Sequence, residues 1–173
     1  MSTQTTGDAY VMGRTEAEER RLQRQAAFFD PTTRRLFSMA GIGAGMKVLD
    51  LGSGAGDVAM LVADLVGPTG SVVGVDANPT ILETATRRTH AAGHANVTFL
   101  AGDVRDVPLD DDFDAVVGRL ILCHLRDPVR VLRRVLPHLR SGGVAAFYDL
   151  DCTGLPVSYP PAPLNQRVFG WVQ

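Results

Sequence analysis

The most informative segment of this 173-residue chain is Val48-Leu49-Asp50-Leu51-Gly52-Ser53-Gly54-Ala55-Gly56-Asp57. It begins as a short apolar run, and it then places glycine at every second position. The apolar residues that follow recur at helical spacing, which is typical of the buried stripe of an amphipathic helix: Val58, Leu61, Val62, Leu65 and Val66. The segment therefore predicts a strand, a glycine turn and a helix.

The glycine turn favours one kind of ligand site over another. Glycine permits positive φ and close approach of a ligand, and free N–H groups at a helix N-terminus suit an anionic group such as a carboxylate or phosphate. A dinucleotide-binding turn reads G-x-G-x-x-G. Here the three glycines give G-x-G-x-G, and Asp57 occupies the third dinucleotide glycine position. Taken alone, the glycines are equally consistent with a structural tight turn.

Composition narrows the class of protein. The length predicts a single domain with a substantial core. A net charge of −2 excludes a global basic field that would attract nucleic acid or anionic lipid. The two cysteines, Cys123 and Cys152, come with no spaced set of metal ligands, so no metal is expected. A polar N-terminus and the lack of a long apolar run predict a cytoplasmic protein that does not enter a membrane.

Strands and helices are predicted to alternate along the chain. The strands are 46–51, 71–75, 96–100, 113–117 and 144–150, and the helices between them begin near Val58, at Asn78-Pro79 and at Asp127-Pro128. Two further helices are predicted before the first strand, one from Thr15 and one from Asp30-Pro31 as N-cap and N1. Such alternation predicts right-handed βαβ units and a parallel sheet, whose ligands bind beyond the carboxyl ends of the strands.

Candidate functional residues follow each of the first four strands. Asp76, after the second, is able to accept both hydroxyls of a ribose. The alternative is an ordinary acid at a helix N-terminus, but Asn78 already serves as that cap, so the ribose role is favoured. Asp103 follows the third strand, and the segment from Arg119 to His124 follows the fourth.

These motifs, in this order and at this spacing, resemble those of the class I, Rossmann-like, S-adenosylmethionine-dependent methyltransferases from about Tyr10 to Leu150. The resemblance implies a doubly wound α/β fold with five mainly parallel strands in the order 3-2-1-4-5 and two N-terminal lid helices. It also implies a glycine turn beneath the methionine part of S-adenosylmethionine, an adenine contact at Asp103 and the Val104 backbone, and a backbone around Arg119 that holds the methionine amino group. The residues so implied to bind the cofactor are Tyr10, Asp50, Gly52, Ser53, Gly54, Asp76, Ala77, Asp103, Val104 and Arg119.

Two further functional assignments compete with purely structural explanations. His124 is the candidate general base, but a histidine at this point is equally consistent with a packing residue at a helix edge. The pattern from Tyr10 to Gln25 resembles the lid helix of small-molecule methyltransferases of the quinone-biosynthesis type, in which Tyr10 would stack near the sulfonium. The alternative is a solvated basic helix. The arginines after Arg126 lack the aromatic neighbours that a nucleic-acid surface requires.

The resemblance ends near Asp151. The family completes its sheet with strands 6 and 7, whereas the remaining residues here are rich in proline. The expected organisation is therefore lid helices at 1–44, a cofactor-binding core at 45–151 and a tail at 152–173. Either the chain is a fragment, or a homodimer covers the exposed edge of strand 5.

The predicted function is methyl transfer from S-adenosylmethionine to a small-molecule acceptor, with S-adenosylhomocysteine as product. A truncated, non-catalytic cofactor-binding or dimerising module is the main alternative. An NAD-dependent oxidoreductase is less favoured because of Asp57.

Overall fold

The computed structural model describes residues 16–110 and 112–150, with side chains from Arg24 onward. Five strands of this part form one parallel sheet in the order β3-β2-β1-β4-β5. They are β1 (Lys47–Leu51), β2 (Ser71–Asp76), β3 (Val97–Ala101), β4 (Phe113–Arg119) and β5 (Leu139–Tyr148). The fold class and strand order are those predicted. Tyr10, the start of the first predicted helix at Thr15 and the tail at 152–173 lie outside the described residues.

Four helices flank the sheet: α1 (Glu16–Met39), α2 (Asp57–Val66), α3 (Pro79–Ala91) and α4 (Pro128–Val135). The helices α1 and α2 cover one face, where Phe37 and Val62 join the buried strand residues Val48 and Val117. The helix α4 covers the other face through Val131 and Val135. Because both faces are covered, the central strands are apolar on both sides. None of the described helices is long and apolar enough to cross a membrane.

The two helices predicted before the first strand are one. The helix α1 continues from Glu16 to Met39 with Pro31 inside it, so the prediction that Asp30 and Pro31 start a second helix is wrong. Proline costs a helix one backbone hydrogen bond, but the flanking residues are fixed by other contacts. The Asp30 carboxylate accepts a hydrogen bond from Arg119, and the Thr33 hydroxyl donates to the Phe29 carbonyl at 2.9 Å.

The start of β5 also differs from the prediction. The strand was expected at 144–150, but it already begins at Leu139 opposite Phe113. The next aligned pair is Ala115 with Val144, so the residues between bulge out of the register. Gly142, with φ +78°, permits this bulge.

The end of α4 is set by a proline. The helix ends at Val135, and a single 3₁₀ turn follows over Leu136–His138. Pro137 has no N–H to continue the α-helical pattern. Leu136 consequently turns outward and is 42% exposed.

The strand register brings two charged residues to the same face. Asp50 of β1 is aligned with Val117 of β4, and side chains alternate between the two faces of a strand. Arg119, two residues after Val117, therefore lies on the face that α1 covers, as Asp50 does.

Candidate functional site

The glycine turn between β1 and α2 needs its glycines for geometric reasons. Gly52, Gly54 and Gly56 have φ of +67°, +51° and +85°, in the left-handed region that other residues avoid. A Cβ atom at Gly52 would lie 2.5 Å from the Cδ1 atom of Ile121. The loop after β4 therefore sits directly on the turn.

Beneath this turn are two buried polar side chains without partners. Asp50 is 1% exposed and Ser53 is 6% exposed, and neither the Asp50 carboxylate oxygens nor the Ser53 hydroxyl has a hydrogen-bond partner among the described residues. Burial raises the pKa of Asp50 to about 8; Arg119 opposes the rise, and Asp76 and Asp57 add to it. Since buried polar groups are almost always paired, these two side chains are suited to a ligand that brings a donor.

The Asp76 carboxylate stabilises the turn and is still able to accept further hydrogen bonds. Its Oδ2 accepts from the Gly54 N–H at 2.9 Å, and its Oδ1 accepts from the Asn78 N–H at 2.9 Å. Each oxygen of a carboxylate accepts about two hydrogen bonds, so Asp76 retains acceptor positions for two more donors. Asn78 caps α3 by accepting from the Thr80 N–H, as predicted. Ala77 lies exposed between them.

The backbone amides of the turn are largely used within the protein. The Ser53 N–H donates to the Val75 carbonyl and the Gly56 N–H donates to the Ser53 carbonyl, both at 2.9 Å. The Gly54 N–H donates to Asp76. The expectation that these amides are free for an anion is therefore wrong for all three, because the turn folds back on itself and on β2.

Arg88 of α3 fixes the same turn from outside. Its guanidinium donates to the Ala55 carbonyl at 2.7 Å and pairs with the Asp57 carboxylate at 2.6 Å. Asp57 was recognised in the sequence only as a departure from the dinucleotide pattern. Its partner lies 31 residues away, and no spacing rule indicates it.

Asp103 lies where it was predicted, directly after β3, but its carboxylate already has a partner. The Arg105 side chain donates to both carboxylate oxygens at 2.5–2.9 Å. Hydrogen bonds from Arg105 lower the pKa of Asp103. The side chain of Val104 is buried, and the Gly102 N–H donates to the Asp76 carbonyl at 2.9 Å. The loop after β3 is thus joined to the end of β2.

The loop after β4 is built by a residue that the sequence did not single out. The Asp149 carboxylate accepts from the N–H groups of Ile121, Leu122 and Cys123 at 3.0, 2.6 and 3.3 Å. Burial raises the pKa of Asp149, but hydrogen bonds from the Cys123 thiol and from backbone amides outweigh burial, so the pKa is lowered. Leu120 adopts φ +55° to enter the loop.

His124 ends the single 3₁₀ turn Leu122–His124 that this loop forms, and its side chain is exposed. The backbone N–H of His124 donates to the Ile121 carbonyl at 3.0 Å, within the loop that Asp149 holds. Among the described residues, no cluster of three or more histidine, cysteine, aspartate or glutamate side chains could hold a metal ion.

Arg119 connects the end of β4 to α1. Its side chain is 8% exposed, and Nη1 donates to Asp30 at 2.7 Å and to the Thr33 hydroxyl at 3.3 Å. The same helix also contacts β5, because the rings of Phe29 in α1 and Tyr148 in β5 pack edge to face with their centroids 5.5 Å apart. The sequence assigned a role to the backbone around Arg119 and missed the side chain, whose carboxylate partner is 89 residues away.

The structure thus groups most of the predicted site residues. Asp50, Gly52, Ser53, Gly54 and Asp76 surround the turn, Arg119 lies on the same face as Asp50, and Asp103 and Val104 follow the adjoining loop. A cavity elsewhere, lined by residues 63, 64, 67, 68 and 93–96, lies at the opposite ends of the strands.

A protein-family model described as a methyltransferase domain matches residues 42–161. The chain is 33% identical over 123 residues to an uncharacterised 37.1 kDa protein in transposon Tn4556 of Streptomyces fradiae, covering 70% of this chain and 35% of that protein. It is 31% identical over 125 residues to demethylmenaquinone methyltransferase of Staphylococcus aureus, covering 72% of this chain and 51% of that protein. The chain therefore spans about half or less of the length of these relatives.

A solved structure shares the fold. A methyltransferase from Aquifex aeolicus, described as S-adenosylmethionine-dependent, superimposes with a TM-score of 0.69 at 21% identity. The superposition covers 83% of this chain and 79% of that one.

Proposed function

Because this chain belongs to the class I S-adenosylmethionine-dependent methyltransferase family, we propose that it binds S-adenosylmethionine and transfers the methyl group to a small-molecule acceptor, with release of S-adenosylhomocysteine. One observation carries the proposal: Asp50 and Ser53 are buried at the glycine turn, and their side-chain oxygens have no hydrogen-bond partner among the described residues. The ammonium group of the methionine moiety is a charged donor of the kind that these oxygens lack.

The other residues of the site suit the rest of the cofactor. Asp76 retains acceptor positions for two ribose hydroxyls, beside Ala77. Asp103 and the Val104 backbone follow β3, where the adenine would lie, and Arg105 must share or release Asp103 for that contact. Asp76, together with Asp50 once a cationic partner ionises it, suits a ligand that carries both a sulfonium and an ammonium group.

The same observations disfavour a dinucleotide. A pyrophosphate requires free amides at the turn, but three of these amides are used within the protein. The site therefore supports the cationic sulfur ligand over NAD.

The protein's own part in the reaction is alignment and exclusion of water. S-adenosylmethionine supplies a methyl group made electrophilic by its sulfonium. Asp50 and Asp76 orient the two ends of the cofactor, and Ile121, seated on Gly52, shields the turn from solvent. For a hydroxyl acceptor, His124 would accept the proton as it leaves. An activated carbon acceptor needs no such base.

The acceptor class rests on the N-terminal pattern from Tyr10 to Gln25 and on one relative named for demethylmenaquinone methylation. A small aromatic or quinone-like molecule is the acceptor that these two features favour. A homodimer over the outer edge of β5 remains a prediction, and a monodisperse monomer in solution scattering would contradict it.

Calorimetric titration tests the cofactor proposal. The purified chain is titrated with S-adenosylmethionine, S-adenosylhomocysteine and NAD. We expect micromolar binding of both sulfur ligands and none of NAD, and weaker binding by Asp76→Ala. A folded chain that binds neither sulfur ligand would refute the proposal. Release of S-adenosylhomocysteine in the presence of a panel of quinols and phenols then tests the transfer, with His124→Ala as the variant that separates chemistry from binding.

A further inference from the structure

One buried arginine shares a face of the sheet with one carboxylate and pairs with another. Arg119 shares the covered face of the sheet with Asp50, and its charge acts on that carboxylate. Its Nη1 nevertheless donates to Asp30 and Thr33 of α1. The oxygens of Asp50 accept no hydrogen bond from any residue in the ranges 16–110 and 112–150.

This choice of partner is not the one that folding stability alone would favour. The Asp50 side chain is almost completely buried, whereas the Asp30 side chain is 43% exposed. A carboxylate removed from water gains most from a cationic partner, so pairing Arg119 with Asp50 would relieve the larger penalty. The other charged groups that act on Asp50 are Asp76 and Asp57, which both oppose its ionisation. The arrangement therefore leaves a costly unpaired acid in place.

We propose that Asp30 is a positioning residue that holds Arg119 away from Asp50 and so keeps the Asp50 carboxylate open for the ammonium group of the cofactor. The inference rests on the proposed function and deepens it. With α1 docked, Arg119 is held by Asp30 and Thr33, and the site is ready. When that hold is lost, Arg119 turns to Asp50 and competes with the cofactor. Docking of α1 and cofactor affinity are thereby linked.

The test compares two ligands that differ in the group concerned. S-adenosylhomocysteine carries the methionine-derived ammonium, and 5′-methylthioadenosine has the adenosine and the sulfur without the amino acid. For Asp30→Asn we expect the affinity for S-adenosylhomocysteine to fall about tenfold or more, the scale of one charge-assisted hydrogen bond. The affinity for 5′-methylthioadenosine should change by less than about twofold.

The control lies on the same helix. Arg34→Gln breaks the exposed pair between Arg34 and Asp64, which measures 2.8 Å, and it should leave both affinities unchanged. A second variant, Thr33→Val, removes the other acceptor of Arg119. It should also weaken binding of S-adenosylhomocysteine relative to 5′-methylthioadenosine, by a smaller factor than Asp30→Asn. It gives the answer if Asp30→Asn does not fold.

The pH profile supplies an independent readout. In the wild-type chain, the affinity for S-adenosylhomocysteine should rise between about pH 6 and pH 8, because Asp50 must ionise to accept the ammonium. In Asp30→Asn, Arg119 pairs with Asp50 and lowers its pKa, so the rise should be smaller. If Asp30→Asn weakens the binding of S-adenosylhomocysteine and 5′-methylthioadenosine equally, or weakens neither, the inference is overturned. Failure of the wild-type chain to bind either ligand would instead overturn the proposed function itself.

Discussion

Two carboxylates at the same end of the sheet are in opposite states. Asp50, in β1, is buried with no hydrogen-bond partner in the part of the chain that the structure describes, and burial raises its pKa to about 8. Asp149, just after β5, accepts from four backbone N–H groups, those of residues 121, 122, 123 and 150. Its pKa is lowered, because these bonds and the Cys123 thiol outweigh its partial burial.

The difference separates a binding group from a structural one. A carboxylate that accepts several hydrogen bonds is stable when ionised, whereas a buried carboxylate without donors is costly to ionise. Asp149 therefore stabilises the loop after β4, and Asp50 stores a free-energy cost that a ligand is able to relieve. Substituting one residue at a time around Asp50 and Asp149 separates these two roles.

Removing Asp149 should have the largest effect. Asp149→Ala leaves three amides of the loop without an acceptor, and we expect the free energy of unfolding to fall by about 3 kcal/mol. Urea denaturation measures the change. The control is Asp127→Ala, which removes the single capping bond to the Arg130 N–H and should cost about 1 kcal/mol. Equal losses in the two variants would contradict the structural role of Asp149.

Neutralising Asp50 should act in two directions. Asp50→Asn removes the partner of the cofactor's ammonium group, so we expect S-adenosylhomocysteine to bind about 30-fold more weakly, equivalent to about 2 kcal/mol. The same change should raise the stability of the ligand-free chain more at pH 8 than at pH 5, as measured by urea denaturation, because the contribution of Asp50 is lost progressively between its unfolded and folded pKa values. Lower stability at both pH values would show that Asp50 has a partner in the folded state.

Substitutions at Gly52 and Gly54 test whether the glycine turn next to Asp50 is in contact with the loop that Asp149 holds. Ile121 belongs to that loop and packs against Gly52. Gly52→Ala forces a side chain into φ +67° and against Ile121, and we expect a loss of about 2 kcal/mol. Gly54→Ala has φ +51° but no atom within 4 Å, so it should cost only about 1 kcal/mol. The difference between these thermal or urea midpoints measures the contact. If the two losses are the same, the loop does not rest on the turn.

The pH dependence of stability should carry both signs. Because the folded pKa of Asp50 is raised, its contribution is present at low pH and is lost as the pH rises toward about 8. Because the folded pKa of Asp149 is lowered, its contribution is present above about pH 4 and is lost as the pH falls through the folded value. Asp50→Asn should flatten only the upper part of the profile, and Asp149→Asn only the acid part. A variant that flattens both parts would reject this assignment.

Asp103 should give the smallest effect, although it too has a partner. Arg105 is exposed, and exposed ion pairs are screened by water. Arg105→Gln should leave the urea midpoint unchanged within error and should free Asp103 for a ligand. A clear fall in the midpoint would mean that this pair is structural.

Local signals predicted the fold well. The alternation of apolar runs located all five strands, and Asn78-Pro79 and Asp127-Pro128 mark the starts of α3 and α4 as predicted. Asp30-Pro31 carries the same signal but lies inside α1. The difference is the partner: the carboxylate of Asp30 accepts from a distant arginine instead of capping its own helix.

Long-range contacts account for what the sequence did not indicate. Asp149 binds amides 26 to 28 residues away in the chain, and the pairing of Asp57 with Arg88 spans 31 residues. Such contacts leave no regular spacing, because the sheet brings together segments that are distant along the chain. The absence of a partner for Asp50 is equally invisible, since it depends on every neighbour that fills the pocket.

The order of the strands also bears on folding during synthesis. The strands β1, β2 and β3 and the helices between them are contiguous in the chain, and contacts that are close in sequence form at the lowest entropic cost. Asp50 and Asp76 both belong to this part of the chain. Arg119 is synthesised later and must close a chain segment of 89 residues to reach Asp30. We therefore expect nascent chains arrested before β4 to contain both carboxylates without the arginine that Asp30 holds in the folded chain.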